Sequence, residues 1–287
     1  MPDYQAIPIE VPPGIYAETT DVDARGRWVD GSNVRFWKGR PQRFGGSATL
    51  LDSANTSSPI RGLRVFNRNS GEPVIAFGSA DGLYVYNSIE YDITPAGMAT
   101  GPVDAVNPSG YGEGLYGTGF YGGATLLAVS ATPPRTWSIE NYGEDIVACA
   151  SDEQTIYYWD SSGGYTSNPA TALTNAPTAK GVLVTDSRHI MAFAAGGDAL
   201  RIEWCDRDNN TTWTPTANNS AGGVNLELGT RIMGWCRTGQ GVLVVTDLAA
   251  YVLRYVGGSF VFSRTLVGTN CGAVGQLAVV AKDSGAM

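Results

Sequence analysis

A single histidine, His189, is the only imidazole that this 287-residue chain offers for acid–base catalysis. It lies in the polar break between two apolar runs, with Asp186 close to it in sequence. A catalytic Ser–His–Asp arrangement holds the imidazole between a hydroxyl and a carboxylate. A surface turn does not provide that setting, so the sequence predicts that His189 faces solvent and takes no part in catalysis.

The cysteines show no metal-binding pattern. Cys149, Cys205, Cys236 and Cys271 are far apart in sequence, and no two of them form a C-x-x-C pair. A zinc site requires several cysteine or histidine ligands at close spacing, so none is predicted. Because three of the four lie in or beside strand-like runs, we expect buried free thiols rather than disulfides.

Two other binding motifs are incomplete. Residues 206–209 (DRDN) lack the glycine and distal glutamate of a calcium loop. Gly112, Gly114 and Gly117 satisfy G-x-G-x-x-G, but a Pro/Gly-rich loop precedes them and further glycines follow. A dinucleotide site needs a strand before this motif and a helix after it. The sequence therefore predicts an aromatic-anchored loop here, and no cofactor.

Paired carboxylates are the one enzymatic candidate. Five acidic residues cluster around the second apolar hairpin: Glu140, Glu144, Asp145, Asp152 and Glu153. Two of them would have to lie about 5–10 Å apart across a cleft to cleave a glycosidic bond. The S-x-D-x-G-x-T-W turn typical of sialidase blades is absent, so we predict no enzymatic activity. A glycan-binding or glycan-cleaving β-propeller stays open as the alternative.

The elements that position these residues are repeated hairpins. Each consists of an apolar run, a short polar break and a second apolar or aromatic run, and the four copies span residues 73–87, 145–160, 181–195 and 241–258. Such a unit cannot bury its apolar face alone, so several copies must stack. The sequence therefore predicts an all-β fold, with a β-propeller-like body of antiparallel blades over residues 59–287.

The last residues predict one opening strand of a fifth blade, over residues 273–287. A blade of one strand would leave an unpaired apolar edge. We therefore expect the blade to be completed either by further chain beyond Met287 or by a strand from a partner.

Residues 1–58 differ from the rest and predict an extended N-terminal arm. Six of the 19 Lys and Arg residues of the chain lie between Arg25 and Arg43, interleaved with aromatic residues. One interpretation is a strand pair with solvated arginines. The other is a docking arm, since protein interfaces favour Arg and aromatic side chains. The candidate interface residues are Arg25, Arg27, Trp28, Arg35, Phe36, Trp37, Arg40 and Arg43.

The charge balance limits the choice of partners. The net charge of −8 argues against a sequence-reading nucleic-acid module, which normally carries a basic patch. It is compatible with a surface past which DNA slides without sticking. No apolar run is long enough to predict a membrane span, and residues 1–13 have no signal-peptide pattern.

Several segments resemble one family, the short-tailed bacteriophage tail nozzle or packaged-DNA stabilisation proteins. The likeness begins with ARGRWVDGSNVRFWKGRPQRFGG (24–46) and GLYGTGFYGG (114–123) and continues with TWSIENYGEDIVAC (136–149). It extends through WCDRDNNTTWTPTANNSAGG (204–223) and the stretch from 241 to 275. A tail component of a siphophage or gene-transfer agent with the same domain is a second interpretation within this class.

The resemblance implies a structural protein of the virion tail, assembled in the cytoplasm of the host bacterium. It implies a homo-oligomeric ring, a hexamer in such proteins, that lies below the portal and adaptor. The implied partners are other copies of the chain, adaptor and portal-side tail proteins, and fibre or spike proteins. Packaged DNA would pass through the channel without tight binding, and the ring would help to retain it.

Overall fold

The computed structural model describes residues 11–46 apart from 17, 19 and 21, residues 56–105, and residues 132–281 apart from 259 and 276. The chain divides into two compact units, Met1–Ser53 and Ala54–Met287.

The N-terminal unit contains one antiparallel hairpin, formed by β1 (Val34–Trp37) and β2 (Arg40–Arg43). Lys38 and Gly39 connect the two strands, and both have positive φ angles, 49° and 75°. This is the left-handed backbone that two-residue hairpin turns require. Glycine adopts it freely, so the Lys–Gly pair sets the hairpin register.

The C-terminal unit consists of four antiparallel sheets of four strands each, and within each sheet the strands follow chain order. The first sheet contains β3 (Leu63–Asn67), β4 (Pro73–Gly78), β5 (Leu83–Asn87) and β6 (Ile89–Asp92). The second contains β7 (Trp137–Tyr142), β8 (Asp145–Ala150), β9 (Ile156–Trp159) and β10 (Thr171–Ala172). The third contains β11 (Gly181–Val184), β12 (Ile190–Phe193), β13 (Arg201–Trp204) and β14 (Gly222–Asn225). The fourth contains β15 (Ile232–Thr238), β16 (Gly241–Thr246), β17 (Ala249–Tyr255) and β18 (Phe262–Thr269).

The all-β prediction is confirmed, and so are the four predicted hairpins. They correspond to β4–β5, β8–β9, β11–β12 and β16–β17. The only helical elements among the described residues are two short 3-10 turns, Ser161–Gly163 and Ala195–Gly197. Alternating apolar residues account for this outcome, because they favour half-buried strands over helices.

Consecutive sheets pack face to face through three apolar cores. One core joins the first and second sheets, a second joins the second and third, and a third joins the third and fourth. The side chains of strand β11 alternate between two of these cores. Val182 and Val184 face the second sheet, whereas Leu183 faces the fourth. Strands β11 and β12 of the third sheet are therefore buried on both faces, which explains their continuous apolar runs.

Two tryptophans lie against glycines of the preceding sheet. A Cβ added at Gly78 would come within 2.4 Å of the Trp137 ring, and one at Gly181 would come within 2.1 Å of the Trp235 ring. The indole N–H groups donate to backbone carbonyls, from Trp137 to Ser79 and from Trp235 to Val182. Glycine is therefore required at both positions by the close approach of an aromatic ring.

The first strands of all four sheets border one cavity. Residues of β3, β7, β11 and β15, together with residues 279–281, line a space of about 500 Å³. Its walls combine apolar side chains with two arginines and a glutamate. The order of strands within each sheet thus brings residues from distant parts of the sequence to one centre.

The structure also contains two short strands that were not predicted, β10 and β14, which complete the second and third sheets. The predicted strand of a fifth blade is not found: no strand is present among the described residues of 273–281, and residues 276 and 282–287 lie outside the described part. Instead, the Leu277 amide donates to the Met233 carbonyl, and Val279 lies against Gly234 of β15.

Candidate functional site

Five of the eight predicted interface residues lie on the β1–β2 hairpin, and Arg25, Arg27 and Trp28 precede it in sequence. Phe36 is half-buried, and the other seven are exposed: Arg25, Arg27, Trp28, Arg35, Trp37, Arg40 and Arg43. An isolated two-stranded hairpin has too little apolar burial to be stable by itself in water. The assignment of these residues to an interface stays a prediction.

Cation–π contacts organise the hairpin surface. The Arg27 guanidinium lies 4.9 Å from the centre of the Tyr16 ring, and that of Arg35 lies 5.9 Å and 5.5 Å from the Trp37 and Phe44 rings. Trp37 is nevertheless 55% exposed and Phe44 is 51% exposed. Arginine and aromatic side chains are therefore held together at the surface, which is the composition of interface hot spots.

The prediction for His189 is wrong, because its side chain is fully buried. The Tyr255 and Phe262 rings of the fourth sheet pack against the imidazole at centroid distances of 5.6 Å and 5.1 Å. Burial lowers the pKa of His189, so the ring is neutral near pH 7. The turn that carries His189 is polar, as predicted, but the neighbouring sheet covers it.

Hydrogen bonds around His189 exclude the triad arrangement. Ser220 Oγ donates to Asp206 Oδ1 at 2.7 Å and lies 3.1 Å from His189 Nε2. Because a hydroxyl has one proton, Nε2 must donate to Ser220, and Nδ1 must accept from Ser187 Oγ at 3.0 Å. A nucleophilic serine would give its proton to the imidazole, and Ser220 does the reverse.

Arg135 is a buried ionic centre that the sequence reasoning missed. Its side chain is 1% exposed, and it binds both Asp152 oxygens at 2.8 Å and Glu153 Oε1 at 3.2 Å. Its Nη1 donates to the carbonyls of Ala80 and Ala99. Every guanidinium N–H is therefore satisfied, and the cluster ties two loops of the first sheet to the β8–β9 turn of the second.

Glu140 forms a second ionic cluster, which borders the central cavity. Its Oε2 forms an ion pair with Arg64 Nη2 of β3 at 3.2 Å and accepts a hydrogen bond from Arg237 Nη2 of β15. Arg64 also donates to Asn141 Oδ1 at 2.9 Å. Burial raises the pKa of Glu140, although both arginines oppose that shift. This cluster joins the first, second and fourth sheets through one carboxylate.

The other two candidate carboxylates have structural partners as well. Glu144 accepts from the Asn69 amide at 2.6 Å. Asp145 accepts from the amide and hydroxyl of Ser161, each at 2.9 Å, and from the Tyr158 hydroxyl. A glycosidase needs one carboxyl group to donate a proton and another to attack the sugar or activate water. Here all five carboxylates accept hydrogen bonds that hold loops and sheets together.

Asp81 anchors the chain where it enters β3. It accepts from Thr56 Oγ1 at 2.7 Å, from the Ser57 amide at 2.8 Å and from Ser58 Oγ at 2.6 Å, as well as from Ser79 Oγ. Burial by itself would raise the pKa of Asp81, but these hydrogen bonds outweigh it and hold the pKa well below its usual range. The carboxylate therefore stays ionised in the folded protein.

We expect Asp81→Asn to lower the free energy of unfolding by about 1–3 kcal/mol at pH 7, because hydrogen bonds to a charged acceptor are lost. A carboxyl with a lowered pKa stabilises the fold above its unfolded pKa of about 3.9. The difference from the parent protein should therefore shrink only as the pH falls below that value, towards the folded pKa. Urea unfolding at pH 7 and at about pH 2 measures it, with Asp104→Asn, whose side chain is 86% exposed, as the control. An equal difference at both pH values would contradict the role of the charge.

The four thiols are free, as predicted, but their burial differs. Cys149 and Cys205 are buried, Cys236 is half-buried and Cys271 is exposed. Burial raises the pKa of Cys205 to about 12, so its thiol stays protonated at neutral pH. The expectation of burial is therefore wrong for Cys271, which lies after the last strand, where no neighbouring sheet covers it.

A sequence signal for the arginines existed but did not identify their partners. Arg64 and Arg237 interrupt apolar strand patterns, and Arg135 lies two residues before the strand that begins at Trp137. A charge inside or beside a buried strand requires a partner of opposite charge. The partners of Arg64 and Arg237 lie in other sheets, so only the folded structure brings them together.

Within the described ranges, no group of three or more His, Cys, Asp or Glu residues is arranged to hold a metal ion. No helix in the same part of the chain is long and apolar enough to cross a membrane. The glycine- and tyrosine-rich stretch 110–123 lies outside the described residues. No protein-family model matches the chain, and no curated protein matches it either.

Proposed function

We propose that the chain is a structural component of a bacteriophage tail. In this role it forms a ring, a nozzle or hub, that extends the DNA channel below the portal and adaptor and helps to retain the packaged genome. The observation that carries the proposal is the exposed surface of the N-terminal unit, where Trp37 and Phe44 are about half exposed. The arginines of that unit are exposed as well: Arg25, Arg27, Arg35, Arg40 and Arg43. Such a surface is suited to assembly with protein partners.

The proposed architecture of the body is a β-propeller. Three features support it: each sheet is a four-stranded antiparallel meander, consecutive sheets share an apolar core, and the first strand of every sheet borders the same cavity. Radial blades around a centre have these three properties.

The hydrogen bonding of the carboxylates supports a structural role over glycan cleavage. Asp152 and Glu153 are bound to the buried Arg135, and Glu140 is bound to two arginines. Using any of them as an acid or nucleophile would break a contact between sheets. Purified tails incubated with host lipopolysaccharide should therefore release no reducing sugar. Release that is abolished by Asp152→Asn would favour the glycan-cleaving alternative.

The experiment that tests the proposal is complementation of a phage that lacks the gene for this protein. Particles without the protein should package DNA and then lose it, because nothing closes the channel. Supplying the parent protein should restore nuclease-protected DNA in the particles. The double variant Trp37→Ala/Arg40→Ala should fail to restore it, because the hairpin no longer binds its partner.

Arg207→Ala is the matched control for this experiment, since Arg207 is an exposed arginine of the C-terminal unit with a 59% exposed side chain. It should restore DNA retention fully. Full rescue by the hairpin variant would exclude the hairpin as the docking surface, and stable retention without the protein would exclude the tail-ring function. Submicromolar, strongly salt-dependent binding of duplex DNA to the isolated protein would assign the arginines to phosphate contacts instead.

A further inference from the structure

The central cavity combines apolar walls with a few converging polar groups. Its lining includes Ile139, Val182, Leu183 and Trp235, and the charged side chains that border it are Arg64, Glu140 and Arg237. A volume of about 500 Å³ lies within the range of sites that bind small organic molecules. The cavity therefore has the size and the chemistry of a site that binds a small molecule.

Among the described residues, the positive charges of the cavity outnumber the buried negative charge. Two guanidinium groups share one carboxylate, and both reach the same oxygen, Glu140 Oε2. In the described part of the chain, the hydrogen bonds of the two groups use Arg64 Nε and Nη2 and Arg237 Nη2, which leaves Arg64 Nη1 and Arg237 Nε for other acceptors. The other described carboxylate that pairs with them is Asp186, which is 3.9 Å from Arg237 Nη1 and 89% exposed, so solvent screens it.

We propose that this cavity binds a small organic anion, with a carboxylate or phosphate group on Arg64 and Arg237 and an apolar body against the walls. Guanidinium groups match the planar fork of such oxyanions and bind them through paired charge-assisted hydrogen bonds. Glu140 limits the affinity, because its carboxylate occupies one donor of each arginine. This inference concerns the C-terminal unit alone and does not rest on the proposed tail function.

Phenyl phosphate is a suitable probe, because it joins an oxyanion to an apolar ring. Titration calorimetry of the full chain should detect its binding, with weaker binding of inorganic phosphate and none of phenol. Arg237→Gln should weaken phenyl phosphate binding by about tenfold or more, the expected loss for a charge-assisted hydrogen bond. Glu140→Gln should strengthen it several-fold, because both arginines are released without a change of side-chain shape.

The opposite signs of the two effects keep the test informative. A variant that merely disturbs the fold would weaken binding in both cases, and a circular dichroism melt of each variant identifies such a disturbance. Arg207→Gln, which alters an arginine outside the cavity lining, should leave the affinity unchanged. Absence of phenyl phosphate binding at millimolar concentration, or weaker binding by a folded Glu140→Gln variant, would overturn the proposal.

Discussion

Replacing Arg135 by methionine is expected to lower the free energy of unfolding by about 3–5 kcal/mol, the usual cost of removing one partner from a buried ion pair. The reason is the position of Asp152 and Glu153, whose side chains are only 20% and 19% exposed. Without Arg135, both carboxylates lose their counter-charge, and the Ala80 and Ala99 carbonyls lose a donor. Urea unfolding followed by tryptophan fluorescence measures the loss.

Two further variants make the Arg135 test specific. Arg135→Lys should also be strongly destabilising, because one ammonium group cannot replace a planar fork that binds two carboxylates and two carbonyls. Arg207→Met is the control. Its partner Asp208 is 3.6 Å away, and both side chains are at least half exposed. The loss of stability should therefore be roughly 0–1 kcal/mol. A loss below about 1 kcal/mol for Arg135→Met would show that the cluster does not stabilise the fold.

Replacing Trp137 by alanine is expected to cost about 3–5 kcal/mol of stability, the range found when a buried tryptophan is truncated. Trp137 is 3% exposed, lies against Gly62 and Gly78, and donates its indole N–H to the Ser79 carbonyl at 2.7 Å. Truncation would open a cavity between the first and second sheets and leave that carbonyl without its donor. Thermal and urea unfolding both report the effect.

Trp37→Ala is the matched control for Trp137→Ala. Trp37 is 55% exposed on the hairpin, so its loss should change the stability by about 0.5 kcal/mol or less. The two tryptophans should thus separate by role: Trp137 affects folding, whereas Trp37 affects assembly with a partner. Equal destabilisation by the two substitutions would contradict the burial that distinguishes them.

The hairpins are the part of the fold that could be read from local pattern. Apolar runs such as GLYVYN and GVLVVT, each next to a polar break such as Asp–Gly or Thr–Asp, predict two paired strands. The strands lie where this pattern places them. The short strands β10 and β14 were not predicted, because β10 has only two residues and β14 (GGVN) contains glycine and asparagine, which are rare in strands. Their pairing depends on an edge that β9 and β13 already provide.

The residues of the candidate site also fall into those that the sequence revealed and those that only the structure revealed. The clustering of arginine and aromatic residues between Arg25 and Arg43 is visible in the sequence, and the structure leaves that cluster exposed. The environment of His189 is not visible, because Tyr255 and Phe262, which bury it, lie more than 60 residues later in the chain. The sequence therefore identified exposed candidates better than buried ones.

What the sequence by itself determined is the local structure, because strands and turns follow from side-chain period and residue type. Only the tertiary structure decided which charges are paired and which polar residues are buried. Arg135 meets Asp152, and Arg64 and Arg237 meet Glu140, because packed sheets bring separate segments together. The physical reason is that burial and ion pairing depend on contacts between distant residues, whereas strand and turn formation depend on neighbours along the chain.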